Sequence, residues 1–430
     1  MKKIYYITAV FATLFLVGCG DGIDLPGVNV ETDLNKIPLP DNNVNLEQVE
    51  LKPSTEPMLH EGLHTEEDFQ RIRDKKAAGE EPWVSAYQLL VESQFSQKTA
   101  DTYPTEWIKR GISGDENYMN AARGATIVYQ QALRWKIEQD DEYAAKAVEN
   151  LNKWVQTCVG VTGNTNLSLA AGLYGYEFAI AGELLRDYGG WDRADFAAFQ
   201  NWLLKVFYPA NDDFLKRHHD TNALHYWANW CLCNIAAKMA IGIVTDRRDI
   251  YNEGIAHLQT GDTNGRLRRA IYHDYAPDYN FAQWQESGRD QGHTLMCVGL
   301  MGIICQLAWS QGDDFFAYDD NLFLRACEYA ACCNYTNETV PYTTYIWQKQ
   351  SQWGYPIPEE QTTLGGGKWI KRAIWALPYY HYKGIKNISD DNLKYTKIAT
   401  EYVGIEGGGY YDANSGGYDV LGLGTLMYAQ

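Results

Sequence analysis

"LSLAAGLYGYEFAIAGELLRDYGGWDRADFAAFQNWL", residues 167–203, decides the fold class. Its first half is apolar nearly all round at helical spacing, so that helix has no polar side for water and belongs to an inner layer. The run stops at Asp187-Tyr188-Gly189-Gly190, and Trp191-Asp192 opens a second helix. Gly ends one helix and Asp caps the next, while the aromatic after the turn packs back on the pair. The same arrangement occurs at 132–155 ("ALRWKIEQDDEYAAKAVENLNKWV"), 239–258 ("MAIGIVTDRRDIYNEGIAHL") and 307–331 ("LAWSQGDDFFAYDDNLFLRACEYAA").

Successive helical hairpins build a bundle, an open solenoid or a closed ring. The four units are too dissimilar for a short-period solenoid. The all-round apolar helices at 167–185 and 293–309 suit an inner ring covered by an outer one. The expected fold is therefore all-α: an (α/α) toroid, an incomplete barrel of helical hairpins. "VPYTTYIW", 340–347, reads as a short extended segment towards the C-terminus, and the Gly/Tyr-rich tail from Gly404 as a strap with a last helix near the end.

The N-terminus "MKKIYYITAVFATLFLVGC" has a basic start, a short apolar run and Leu16-Val17-Gly18-Cys19. That pattern is a signal peptide, residues 1–19, with Cys19 as the lipidated residue. Residues 20–57 read as a flexible tether and 58–430 as the globular domain. An exported lipoprotein, periplasmic or anchored at the outer membrane, is the expectation, with the lipid as the only membrane contact.

A net charge of −18 argues against nucleic acid, which needs a basic surface. An anionic ligand must then meet a local basic cluster. The chain holds 14 Trp and 31 Tyr against 13 Phe, an excess suited to stacking on sugars and bonding hydroxyls. The cysteines after Cys19 lie mostly in apolar helical stretches, where cysteine acts as a small hydrophobe; no disulfide pairing follows from the sequence.

Two polar clusters interrupt the apolar pattern. In "WQESGRDQGH", 284–293, reading 286–293 as the first turns of a helix sets Glu286, Arg289, Asp290 and His293 on one face. An Arg bridging two acids is the purely structural alternative. Arg289 would repel a cation, which argues against a metal, and no cofactor is expected. In "RHHDTNALHYWANW", 217–230, a helical reading sets His225 and Asn229 one turn apart, with Asn222 a turn earlier, and pairs Tyr226 with Trp230. Between the clusters, Tyr272, Tyr275 and Tyr279 are too polar in context to be core.

This inventory fits β-elimination from a uronic-acid polymer. Loss of the C5 proton beside an ionised carboxylate needs amide, imidazole or guanidinium donors for the enolate-like intermediate, a base for the proton and an acid for O4. A glycoside hydrolase using Glu286 and Asp290, and a lipid-anchored glycan-binding protein, are the alternatives; the two carboxylates sit one turn apart, poorly placed to flank a glycosidic bond.

Together "HTEEDFQRIRDKKAAGEEPW", "LAAGLYGYEFAIAGELLRDY", "HYWANWCLCNIAAKMAIGI", "QWQESGRDQGH" and "VPYTTY" resemble the α/α-toroid polysaccharide lyases of the alginate-lyase superfamily, in the branch with alginate and glucuronan lyases. The resemblance runs from about residue 60 to about residue 380. It implies a metal-independent lyase acting on an acidic polysaccharide, with Asn229 as the amide that neutralises the carboxylate and Arg289 stabilising the intermediate. His225 or His293 and Tyr279 complete the implied catalytic set, with substrate contacts from Asn222, Tyr226, Trp227, Trp284, Gln285, Glu286 and Tyr174. The chain departs from the family pattern in two places. Asn222 and His225 are separated by Ala223-Leu224 rather than adjacent, and His293 is followed by Thr294 rather than Tyr.

Overall fold

A computed structural model describes residues 48–409 and 417–430. Cys19, the signal peptide and residues 20–47 of the tether lie outside the described residues, as do 410–416 of the tail.

Four helical hairpins form the body: α3 (Tyr118–Glu138) with α4 (Asp141–Thr157), α5 (Asn166–Glu183) with α6 (Arg193–Val206), α8 (Ala228–Val244) with α9 (Arg248–Thr260), and α11 (Gln291–Ser310) with α12 (Tyr318–Tyr335). They are preceded by α1 (Glu66–Ala77) and α2 (Trp83–Glu92); α7 (Tyr208–Arg217) and the one-turn α10 (Leu267–Ala270) fill connections. The expected turn chemistry is present. Asp140 accepts the Glu142 amide at 3.0 Å to start α4, and Asp192 accepts the Ala194 amide at 2.7 Å to start α6.

The layering follows the apolar pattern. Inner helices α3, α5, α8 and α11 are consecutive neighbours, and the outer helices pack on them. In α5 every residue from Ser168 to Glu183 is buried, and in α8 only Trp230 is not. Outer helices bury one stripe; in α6 it is Phe196, Phe199, Trp202, Leu203 and Val206. Each such side chain contributes about 1.5–3 kcal/mol on burial. The chain thus forms the α/α toroid expected from its sequence.

The N-termini of the inner helices gather at one end. Strand β1 (Trp107–Arg110) runs parallel to β2 (Gly160–Gly163), and these strands lead into α3 and α5. Ser168 in the first turn of α5 meets His219, just ahead of α8, at 3.0 Å. The Ala228 amide at the start of α8 donates to Gln285, just ahead of α11, at 2.9 Å.

Two antiparallel pairs overlie this end. Strands β3 (Ile271–Asp274) and β4 (Ala282–Trp284) form a short hairpin. A longer one joins β5 (Tyr345–Gln350) to β6 (Pro356–Gln361), and it contains the last three residues, 345–347, of the segment expected to be extended. After the β5–β6 hairpin, α13 (Ala376–Tyr380), α14 (Lys394–Val403) and α15 (Gly424–Tyr428) complete the body. Helix α15 packs on α1, α2 and α13, and Arg71 donates to the Met427 carbonyl at 2.7 Å.

The tether differs from expectation at its end. Residues 48–57 dock along α9: the Val49 amide and carbonyl pair with Gln259 at 2.7 and 2.9 Å, and Arg248 donates to the Pro57 carbonyl at 2.6 Å. A segment without helical period still has backbone donors and acceptors, and polar side chains of α9 take them. The eight cysteines after Cys19 are buried free thiols, whose pKa values burial raises.

Helices α5 and α8 approach closely at Gly172. A Cβ there would lie 2.5 Å from Cys233 Sγ and 2.9 Å from the Cys233 backbone carbon. Gly172→Ala should therefore lower stability by about 1–3 kcal/mol despite the better helix propensity of alanine, read as a fall in denaturant midpoint.

Candidate active site

At the N-terminal end of α8 and α11 the two polar clusters meet, but not on the helical faces anticipated. Helix α8 begins only at Ala228, so His225 and Asn229 do not share it. Residues 221–227 form a turn in which Asn222 accepts the Leu224 amide at 3.0 Å. The other amide end of Asn222 donates to the Gln348 carbonyl and to Gln350, at 3.1 and 2.9 Å, so it holds the β5–β6 hairpin rather than facing a ligand. Likewise 286–290 is not helical in the α sense. Gln285–Gly288 is a 3₁₀ turn, Asp290 is extended, and α11 starts at Gln291 with Asp290 as its cap.

The turn has a structural task. Trp227 precedes α8 and cannot cap it, so the first amides of the helix need acceptors from elsewhere. Gln285 Oε1 takes the Ala228 amide at 2.9 Å and Glu286 Oε1 takes that of Asn229 at 3.3 Å. Both side chains are fully buried, as is Trp284, whose indole donates to the Ala326 carbonyl at 2.9 Å. None of the three is a surface contact residue, contrary to the sequence expectation. Burial raises the Glu286 pKa, with Arg289 and His293 opposing that. A carboxyl without exposure does not reach a glycosidic oxygen, which removes the hydrolase pair.

Arg289 and His293 stay partly open, at 28% and 29% side-chain exposure. The Arg289 guanidinium lies 3.3 Å from Glu286 Oε2 and 5.2 Å over the Trp227 ring. Asp290 Oδ1 accepts the His293 amide at 2.8 Å and Oδ2 meets His293 Nδ1 at 2.6 Å. Burial pushes the Asp290 pKa up, but the bonds from His293 and the nearby Arg289 outweigh it and hold the carboxyl below its ordinary value. The carboxylate accepts, so Nδ1 carries a proton and Nε2 is the ring nitrogen left to accept one. Among the described residues, Nε2 has no hydrogen-bond partner.

His225 is set the other way. Its Nδ1 accepts the Gln350 amide at 2.8 Å, so the neutral ring carries its proton on Nε2 and is a donor there. Burial and Lys349 lower its pKa and keep it neutral. Its ring stacks on Trp347 at 5.8 Å, and Trp347 lies 5.0 Å from Trp227, so an aromatic wall runs from His225 to Arg289.

Four expected residues lie elsewhere. Asn229 is 1% exposed, with Nδ2 3.4 Å from Met296 Sδ; it lies beneath the site surface rather than on it. Tyr174 is buried and accepts from Arg110 at 3.4 Å. Tyr226 is packed within 5.1 Å of Phe214 and 4.9 Å of Trp230. Tyr279 is 54% exposed in the β3–β4 connection, where its amide donates to the Tyr275 carbonyl at 3.1 Å, and among the described residues no hydrogen bond joins it to Arg289 or His293. Its neighbours are more enclosed than anticipated. Tyr272 is buried against Tyr345, and Tyr275 donates to Gln283 at 2.6 Å.

The tyrosine beside Arg289 is instead Tyr342. Its hydroxyl stands against Gly288, where any Cβ would strike it, and donates to the Gln361 carbonyl at 2.9 Å. Burial, with Tyr275 and Tyr272 nearby, pushes it up to about 12, so it is a neutral acid. The segment "VPYTTY" was the available sign of it, but spacing along the chain does not show that this strand returns over the 288 turn. A glycine-rich loop closes the other side: the Gly365 amide donates to Ser287, and that of Gln291 to Gly366, at 2.8 and 2.9 Å.

The family model described as alginate lyase matches residues 73–338 of this chain. No curated protein matches significantly. Among solved structures, a variant of alginate lyase A1-III from Sphingomonas species A1, complexed with a tetrasaccharide, is similar with a TM-score of 0.56 at 14% identity, covering 86% of this chain and 95% of its own. An alginate lyase from Bacteroides ovatus is similar with a TM-score of 0.52 at 13% identity, covering 79% and 94%.

The Asp290 carboxyl has a folded pKa below its unfolded value, so its stabilising contribution is present above the ordinary carboxylate range and is lost as pH falls through the folded pKa. Asp290→Asn keeps a capping side chain but removes the charge. It should lower the thermal midpoint at neutral pH, and the deficit should close below pH about 4.

Proposed function

The chain belongs to the alginate lyase family and is a polysaccharide lyase acting on an acidic polysaccharide, and from that premise we propose that it cleaves alginate or glucuronan by β-elimination without a metal ion. The observation that carries this reading is the pair of imidazole tautomers. Asp290 makes His293 Nε2 a proton acceptor, whereas the Gln350 amide makes His225 Nε2 a donor.

In this reading His293 Nε2 takes the C5 proton. The electrons of the C5–H bond form the C4=C5 double bond as the C4–O4 bond breaks, and Tyr342 protonates O4. Arg289 meets the uronate carboxylate and offsets the charge that grows on it, a task that removes no proton and needs a group fixed beforehand. Trp227 beneath its guanidinium and Glu286 beside it fix that group. Asn229, buried behind Glu286, acts through the start of α8 rather than on the sugar.

Incubation with alginate and with glucuronan in EDTA should raise the ultraviolet absorbance of 4,5-unsaturated uronate ends. Absence of that rise on every uronate polymer would overturn the proposal. Arg289→Ala and His293→Gln should each lower kcat by about 10²–10³-fold while leaving the far-ultraviolet circular dichroism unchanged. Near-normal turnover in His293→Gln would exclude it as the base.

A further inference from the structure

An aromatic and basic patch stands apart from the elimination chemistry, on the loop that closes the Arg289 site. Gly365, at the start of that loop, packs on the 285–290 turn, where a Cβ would lie 2.5 Å from the Arg289 carbonyl carbon. Four residues on, Trp369 sits in the left-handed backbone region at φ 61°. That conformation is uncommon for a bulky side chain and persists only where the surroundings impose it. Here both backbone groups of the residue are tied. The Trp369 amide donates to the Asn334 carbonyl at 2.9 Å, and its carbonyl accepts from the Tyr402 hydroxyl at 3.5 Å. Asn334 in turn donates from its side chain to Gln291, the first residue of α11, at 3.1 Å.

The residue held this way keeps an open side chain. Trp369 is 43% exposed and Tyr402, on α14, is 38% exposed, with ring centroids 5.5 Å apart. Tyr402 is backed at 5.2 Å by the buried Tyr335, whose hydroxyl accepts from the Trp375 indole at 3.0 Å. The outer pair is therefore fixed from beneath while both members stay open to solvent. Two cations border it. Lys371 Nζ lies 5.4 Å over the Tyr402 ring, and Lys368 Nζ donates to the Thr336 carbonyl at 2.9 Å. Both lysines are exposed, and among the described residues no carboxylate forms an ion pair with either. In a chain of net charge −18, two lysines without an acid of their own, beside an open aromatic pair, favour an anionic ligand locally.

We propose that Trp369, Tyr402, Lys368 and Lys371 form a second, non-catalytic binding site for an acidic polysaccharide, which holds the polymer beside the cleft. The proposal rests on the uronate substrate proposed above for the class of its ligand. Aromatic rings suit the apolar side of a pyranose, and a lysine meets a carboxylate as a mobile point charge. Such a site serves a long chain, which reaches patch and cleft together, and adds nothing for a short oligomer.

The test uses Trp369→Asn, which suits the left-handed backbone while removing the indole, and the double variant Lys368→Gln, Lys371→Gln, with thermal midpoints recorded. Retardation is read in native gels containing alginate, glucuronan or a neutral glucan, with His293→Gln added to every chain so that the polymer stays intact. In chains with His293 restored, kcat and KM are measured on the polymer and on the shortest oligouronate cleaved. Each variant should lose at least half of the retardation by the uronate polymer and raise KM on the polymer about threefold or more. Its kcat, and both constants on the short oligomer, should stay within about twofold of wild type. The lysine pair lies on the surface and carries the test if the Trp369 variant does not fold. Undiminished retardation in both variants, equal retardation by the neutral glucan, or an equal loss on polymer and short oligomer would overturn the site alone. A wild type that cleaves no uronate polymer, with retardation still dependent on these residues, would overturn the proposed function and leave the site standing. A chain neither active nor retarded would overturn both.

Discussion

The structure depends on how helix α8 begins. A buried helix N-terminus exposes amide donors that water does not reach, and each needs an acceptor. The residue ahead of α8 is Trp227, which offers none. Gln285 and Glu286, from a turn 57 residues later, supply them. Two consequences follow from this one contact. It forces a run of polar side chains into the interior, and it brings the turn's next residues, Arg289 and Asp290, against the aromatic wall that Trp227 starts. Fold and site are thus fixed by the same bonds. The carboxylate that satisfies the helix also stands beside the guanidinium.

How much of this was legible in the sequence differs between fold and site. The four hairpins and their Asp-capped turns follow from local rules, apolar period and turn chemistry, and these operate within a few residues. The site residue types were also legible, because Arg, His and Tyr stand out in apolar surroundings. Their orientation was not. Whether Glu286 faces solvent or the core depends on an amide 57 residues away, and Asp290 resets the helix register by being extended. Tyr279 and Tyr342 both lie in irregular segments; only the tertiary return of the β5–β6 hairpin sets the second against Gly288.

The charge balance has a related origin. A chain of net charge −18 would repel a polyanion over most of its surface. At the active end the inner helices point their N-termini together, each equivalent to roughly half a positive charge. Arg289 adds positive charge there, partly offset by Glu286 and Asp290 beside it, and Arg110 stands ahead of α3 with no ion-pair partner among the described residues. The aggregate is local, so it acts at contact distance and leaves the acidic exterior to keep the protein from non-specific association.

The eight enclosed thiols have a consequence for durability. Folded, each is shielded by packing, and burial keeps all eight protonated and slow to oxidise. Global unfolding uncovers all eight together, with no native disulfide among the described residues to guide their pairing. In an oxidising medium the opened chain cross-links at random and does not return. The lifetime of the fold is then governed by how often it opens rather than by the equilibrium between its states.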